Sequence, residues 1–101
     1  MGVRIRWSES ALDDLDRALA YIAADNSGAA KKLGRKARES TRKLKDFPDS
    51  GRVVPEIQNT EIRELIVGPF RLIYRRTPKE ARIVCVLRAE RNLGSETIEQ
   101  L

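Results

Sequence analysis

Residues 62–88 read IRELIVGPFRLIYRRTPKEARIVCVLR, and this stretch decides the architecture. Three apolar-rich runs, Ile62 to Val67, Phe70 to Arg76 and Arg82 to Arg88, are each short enough for a strand and rich in β-branched or aromatic residues. Gly68-Pro69 and Thr77-Pro78-Lys79-Glu80 separate them with residues that favour tight turns, so the spacing predicts an antiparallel meander. In the last run Ile83, Cys85 and Leu87 alternate with Val84 and Val86, all of them apolar. A strand apolar on both sides belongs inside a sheet.

Upstream the period changes. Val3, Ile5 and Trp7 alternate with Arg4 and Arg6, the pattern of a strand with one buried side. Ser8 is placed to cap a helix, in which Ala11, Leu12, Leu15, Ala18, Leu19 and Ile22 recur at three- and four-residue steps. Asn26-Ser27-Gly28 turns the chain into a second helix over roughly 28–46, with Ala30, Leu33, Ala37 and Leu44 on one stripe and Pro48 ending it. The order is strand, helix, helix, three strands. A helical hairpin must bury its stripes against one side of the sheet, giving a two-layer α+β fold over residues 1–93 and leaving 94–101 as a tail. Leu15, Leu19, Ile22, Leu33, Ala37 and Leu44 are expected to pack against Val3, Ile5, Val84 or Cys85.

The 101 residues support one modest core. The chain has no histidine, so imidazole is excluded as acid, base or ligand. A single cysteine, Cys85, rules out an internal disulfide and argues against zinc, so no metal or cofactor is expected. No run reaches membrane-spanning length, which points to the cytoplasm and to no membrane partner. The net charge of +5 favours an acidic partner. That charge is concentrated: residues 1–25 hold three basic and five acidic side chains, whereas residues 26–50 hold eight and three. A basic helix of this kind binds phosphates, docks an acidic protein segment, or is a solvated helix surface.

Four local patterns resemble the RelE/ParE toxin superfamily. They are Trp7-Ser8 with Ala11, Asp14-Leu15 and Tyr21-Ile22; Leu44 with Phe47-Pro48, Gly51-Arg52 and Val54-Pro55-Glu56; Arg63-Glu64-Leu65 leading to Phe70-Arg71-Leu72-Ile73-Tyr74; and Ile83 to Leu87 ending in Arg88 and Arg91. The second pattern is more like the ParE branch, which the resemblance implies poisons DNA gyrase by binding. RNase relatives, which cut mRNA on the ribosome, often place His or Tyr after the arginine matching Arg88, where this chain has Ala89-Glu90-Arg91. The resemblance also implies a cognate antitoxin with an acidic segment and a toxin–antitoxin hetero-oligomer.

Two readings of the site residues follow. As a ribonuclease the chain would use Arg63, Arg71 and Arg88 as cations, Glu56 as base and Tyr74 or a lysine as acid. As a binding protein it would hold antitoxin or target carboxylates with Arg63, Arg71, Arg88 and Arg91 on the exposed side of the sheet. A third possibility is a non-toxic family member that binds its antitoxin and regulates their operon. Individually, Trp7 and Tyr74 suit core positions, Tyr21 the edge of the apolar arc, Cys85 a buried apolar slot, and Gly51 a turn.

Overall fold

The computed structural model describes residues 2–101, apart from the side chains of Ser95, Glu96 and Gln100. In chain order it forms β1 (Arg4–Trp7), α1 (Glu9–Asp25), α2 (Ser27–Arg42) with a closing 3-10 turn (Lys43–Lys45), β2 (Arg52–Val53), β3 (Ile62–Val67), β4 (Phe70–Arg76), β5 (Glu80–Arg88) and α3 (Ser95–Gln100). The sheet runs β1-β5-β4-β3-β2, with β1 parallel to β5 and every other pairing antiparallel. The α+β class and the order of the principal elements match the sequence reading. The two-residue edge strand β2 is an addition.

Local chemistry sets the helix ends. Ser8 accepts the amide hydrogen of Ala11 at 3.0 Å, capping α1. Asn26 serves both helices: its backbone N–H closes α1 on Ile22 at 2.8 Å, while its side chain accepts from Ala29 at 3.0 Å to open α2. A single residue therefore makes the turn of the hairpin. The second helix stops at Arg42, earlier than Pro48 requires. The Thr41 hydroxyl bonds the carbonyls of Ala37 and Arg38 at 3.1 and 3.0 Å, and the chain tightens into the 3-10 turn that buries Leu44.

Both sides of the sheet are covered. On one, Ala11, Leu15, Ala37 and Leu44 of the helical layer pack on Leu72, Tyr74, Ala81, Ile83 and Val86, with Trp7, Leu19 and Leu33 partly buried around them. On the other, Val54, Ile62, Ile73 and Leu93 form a smaller core under Ile57, Ile98 and Leu101. Residues 94–101, expected as a tail, supply part of that cover through α3.

The expected partners Val84 and Cys85 lie on this second side, away from the cores of α1 and α2. The cause is a β-bulge: Ile73 pairs with Cys85 but Tyr74 with Ile83, so Val84 is an extra residue without a partner on β4. One added residue reverses the side on which every later side chain emerges. Ile83 consequently shares a core with Val86, and Cys85 shares one with Leu87. Among the described residues no helix is long and apolar enough to cross a membrane.

Candidate functional site

The arginines named from the sequence divide into two groups once folded. Arg71 lies on β4 diagonally across from Glu64 of β3, since Ile66 is its direct partner and Glu64 is opposite Ile73. Its Nε donates to Glu64 at 2.6 Å, and its two terminal nitrogens grip Glu56 at 2.8 and 2.9 Å. A further bond at 2.7 Å reaches the carbonyl of Arg91. The Arg71 side chain is only 4% exposed and that of Glu64 fully buried, with Arg52 of β2 closing the cluster on Glu64 at 2.5 Å. Glu56 in turn accepts the amide hydrogen of Leu93 at 2.9 Å. The cluster thus ties the loop before β3 and the segment leading to α3 onto the sheet.

These contacts set the titration of its members. The bidentate hydrogen bond from Arg71 holds the Glu56 carboxyl down at about 2, despite some burial that opposes the shift. The same pairing raises Arg71 further above its already high value. Because the folded state favours the Glu56 carboxylate, its contribution to stability is complete above the ordinary carboxyl value of 4.5 and is lost as the pH falls from there through about 2. Urea midpoints measured down this acid limb should therefore fall less steeply for Glu56→Gln than for the parent chain. Equal slopes would remove Glu56 from the acid response.

Arg63 and Tyr74 are also engaged within the fold. Arg63 donates to the carbonyls of Thr60, Asp49 and Gly51 at 3.0, 3.2 and 2.9 Å, pinning the loops on either side of β2. Tyr74 is fully buried; its hydroxyl donates to Pro48 O at 2.7 Å and accepts from the Gly51 amide at 3.1 Å. Burial pushes its phenol above the usual value, so it stays protonated. Gly51 is there because of close approach, since a Cβ would lie 2.7 Å from both the Tyr74 ring and the Glu64 carbonyl. Its role exceeds the turn expected of it.

Arg88 and Arg91 are different. Both are exposed, with Arg88 paired to Glu90 at 2.6 Å. They rim a groove of about 550 Å³ between α1 and β5, floored by Ala18, Ile22, Phe70 and Val86. Arg17 and Tyr21 of α1 complete the rim. The sequence placed Tyr21 at the edge of the helix stripe, but it is 79% exposed. Arg17 was lost among the polar residues of α1. Its proximity to Arg88 requires knowing how α1 crosses β5. An arginine-rimmed, apolar-floored groove can hold an amphipathic acidic segment.

Cys85 is partly buried, and burial first, then Asp14, pushes its thiol up to about 12. It stays a thiol at neutral pH and is a poor nucleophile. No group of three or more His, Cys, Asp or Glu side chains converges among the described residues.

The family model described as the ParE toxin of type II toxin-antitoxin system, parDE, matches residues 5–93. The chain belongs to the ParE toxin family. The match runs from the second residue of β1 through β5, takes in the Arg71 cluster and the three groove arginines, and stops before α3. Among solved structures the chain is similar to one titled "Chromosomal ParDE TA system from P. aeruginosa", with a TM-score of 0.72 and 23% identity over 87% of this chain and 97% of that one. At that identity the likeness is one of fold. No curated protein matches the sequence.

Proposed function

We propose that this ParE-family chain acts in the cytoplasm as a toxin that inhibits DNA gyrase by binding it, and that a cognate antitoxin silences it in a hetero-oligomer. The observation that carries the choice of binding over RNA cleavage is the state of the candidate catalytic groups. Cleavage by 2′-hydroxyl attack needs a free base, a free acid and free cations converging on one phosphate. Here Glu56 is locked onto Arg71 with its carboxyl held near 2, Arg71 is buried, and the Tyr74 hydroxyl is enclosed between Pro48 and Gly51. Glu56 and Arg88 are the exposed members of that set, and of the two only Arg88 lies outside the Arg71 cluster, paired with the exposed Glu90. What supports the antitoxin is the groove of Arg17, Tyr21, Arg88 and Arg91, whose charge suits an acidic segment and whose floor suits its apolar anchors.

Induction of the chain without an antitoxin should produce gyrase-dependent DNA breaks while ribosome-bound mRNA keeps its normal 5′ ends. Alanine at Arg88 or Arg91 should weaken toxicity gradually, because binding is spread over many contacts. Codon-phased mRNA cleavage soon after induction, abolished by Arg88→Ala in a chain that still folds, would overturn this reading in favour of a ribonuclease.

A further inference from the structure

One surface of the helical hairpin carries cations that no carboxylate meets. Residues 31–45 hold eight lysines and arginines, all exposed, against one glutamate, Glu39. The ion pairs among the described residues all tie arginines of α1 and the strands to carboxylates, and none uses a cation of this segment. At 3.6 residues per turn, Lys31, Arg35, Arg38 and Arg42 fall in one row and Lys32, Lys36 and Lys43 in a second. A row of this spacing is roughly 16 Å long, enough to face several successive phosphates.

A merely solvated helix surface usually alternates charge at i, i+4, where opposite signs attract. This one repeats the same sign at Lys31/Arg35, Lys32/Lys36 and Arg38/Arg42, and has opposite signs at that spacing only around Glu39, with Arg35 and Lys43. Its first turn lacks an acidic residue, so the positive end of the helix dipole is uncompensated as well. The arrangement costs the isolated helix stability that an anionic partner would restore.

The second observation is Phe47. Its amide bonds the Lys43 carbonyl at 3.0 Å, placing it one turn beyond Lys43, and it is 66% exposed. An accessible aromatic ring at the end of a cationic row is the combination used to follow a nucleic-acid strand, with cations on phosphates and the ring on a base.

We propose that the surface of α2 from Lys31 to Lys45, continued by Phe47, contacts DNA, following its phosphate backbone without reading its sequence. The phosphate chemistry stands on the cation rows alone; the choice of DNA over RNA rests on the proposed action against gyrase, an enzyme that holds DNA. An acidic protein segment is the competing occupant of the first row, because Lys31, Arg35 and Arg38 border an apolar groove between α1 and α2 that holds Leu19, Ala20 and Ala23. The second row, Lys32, Lys36 and Lys43, lies outside that groove and runs towards Phe47, which favours phosphates there.

The test is fluorescence anisotropy of the purified full chain with a short labelled duplex and its single strand, across a range of salt. Affinity should fall log-linearly with salt, with a slope corresponding to about three to five phosphates. The triple variant R35Q/R38Q/R42Q should lose roughly 10- to 100-fold in affinity and two to three in slope, and K32Q/K36Q/K43Q should behave similarly. A triple of equal charge change at exposed positions away from the Lys31–Lys45 surface, R6Q/K79Q/R82Q, should stay within about threefold of the parent. F47A should weaken single-strand binding by at least about fivefold and leave the duplex unaffected.

Equal loss in the distant triple would overturn the proposal, since net charge alone would then explain binding. So would displacement of DNA by polyglutamate at equal charge concentration, which would mark an acidic-protein surface. A tenfold preference for RNA of the same length would overturn the assignment to DNA. None of these outcomes depends on gyrase, so failure here and failure of the gyrase reading are separately visible.

Discussion

Arg71→Ala should lower the free energy of unfolding by about 3–5 kcal/mol, the cost of removing one partner from a buried ion cluster. The truncation strands the fully buried Glu64 and releases Glu56, which the Arg71 guanidinium holds by two hydrogen bonds. It also frees the Arg91 carbonyl and, through Glu56, loosens the tie to the Leu93 amide. A domain of ordinary stability, about 5–15 kcal/mol, would keep from near zero to about 12 kcal/mol, so one at the lower end would unfold. Urea denaturation of the purified variant checks it. A midpoint corresponding to less than about 1 kcal/mol would show that the cluster is not a structural clamp. Because the change disturbs the fold whatever the mechanism, a loss of function in Arg71→Ala cannot diagnose catalysis. Arg88→Ala should do so more cleanly, because an exposed pair such as Arg88–Glu90 is worth no more than about 1 kcal/mol.

Leu44→Ala should cost about 2–5 kcal/mol. Leu44 is fully buried at the point where the 3-10 turn brings α2 down onto the sheet, and the β1 and β5 strands both contact that turn. Removing its isobutyl group leaves a cavity between the helical layer and the sheet that rigid neighbours fill poorly. Leu33→Ala should cost less. Leu33 sits higher on α2, partly exposed over Gly68. If thermal or urea unfolding ranks Leu33 above Leu44, the packing described here between α2 and the sheet is wrong.

The same residues mark how far sequence reasoning reached. The helical hairpin was legible because Ser8 and Asn26 cap locally and because the apolar steps in α1 and α2 have the helix period. The meander was legible because Gly68-Pro69 and Thr77-Pro78 are turn chemistry between β-favouring runs. Along β5, strict alternation from Ile83 misassigned Cys85, Val86 and Leu87, since a bulge at Val84 leaves no mark in a run where every residue is apolar. The short α3 was missed because six residues with few apolar positions have little helix signal of their own. Ile98 and Leu101 are drawn in by the second core.

For the candidate site the division is sharper. Arg71, Arg63, Arg88 and Arg91 look alike in sequence, each a charged residue in or after a strand. Their fates depend on the distance to a carboxylate or carbonyl far along the chain: Glu56 for Arg71, Gly51 for Arg63, and open solvent beside α1 for the last two. By itself, then, the sequence determined what short-range physics governs: period, caps, turns, net charge, and the absence of imidazole. Only the tertiary structure decided which arginines are engaged inside the molecule and which stay at its surface. That choice is made by long-range pairing and desolvation, because a guanidinium is stabilised by whatever acceptors the fold brings within hydrogen-bond reach, and sequence separation carries no information about that distance.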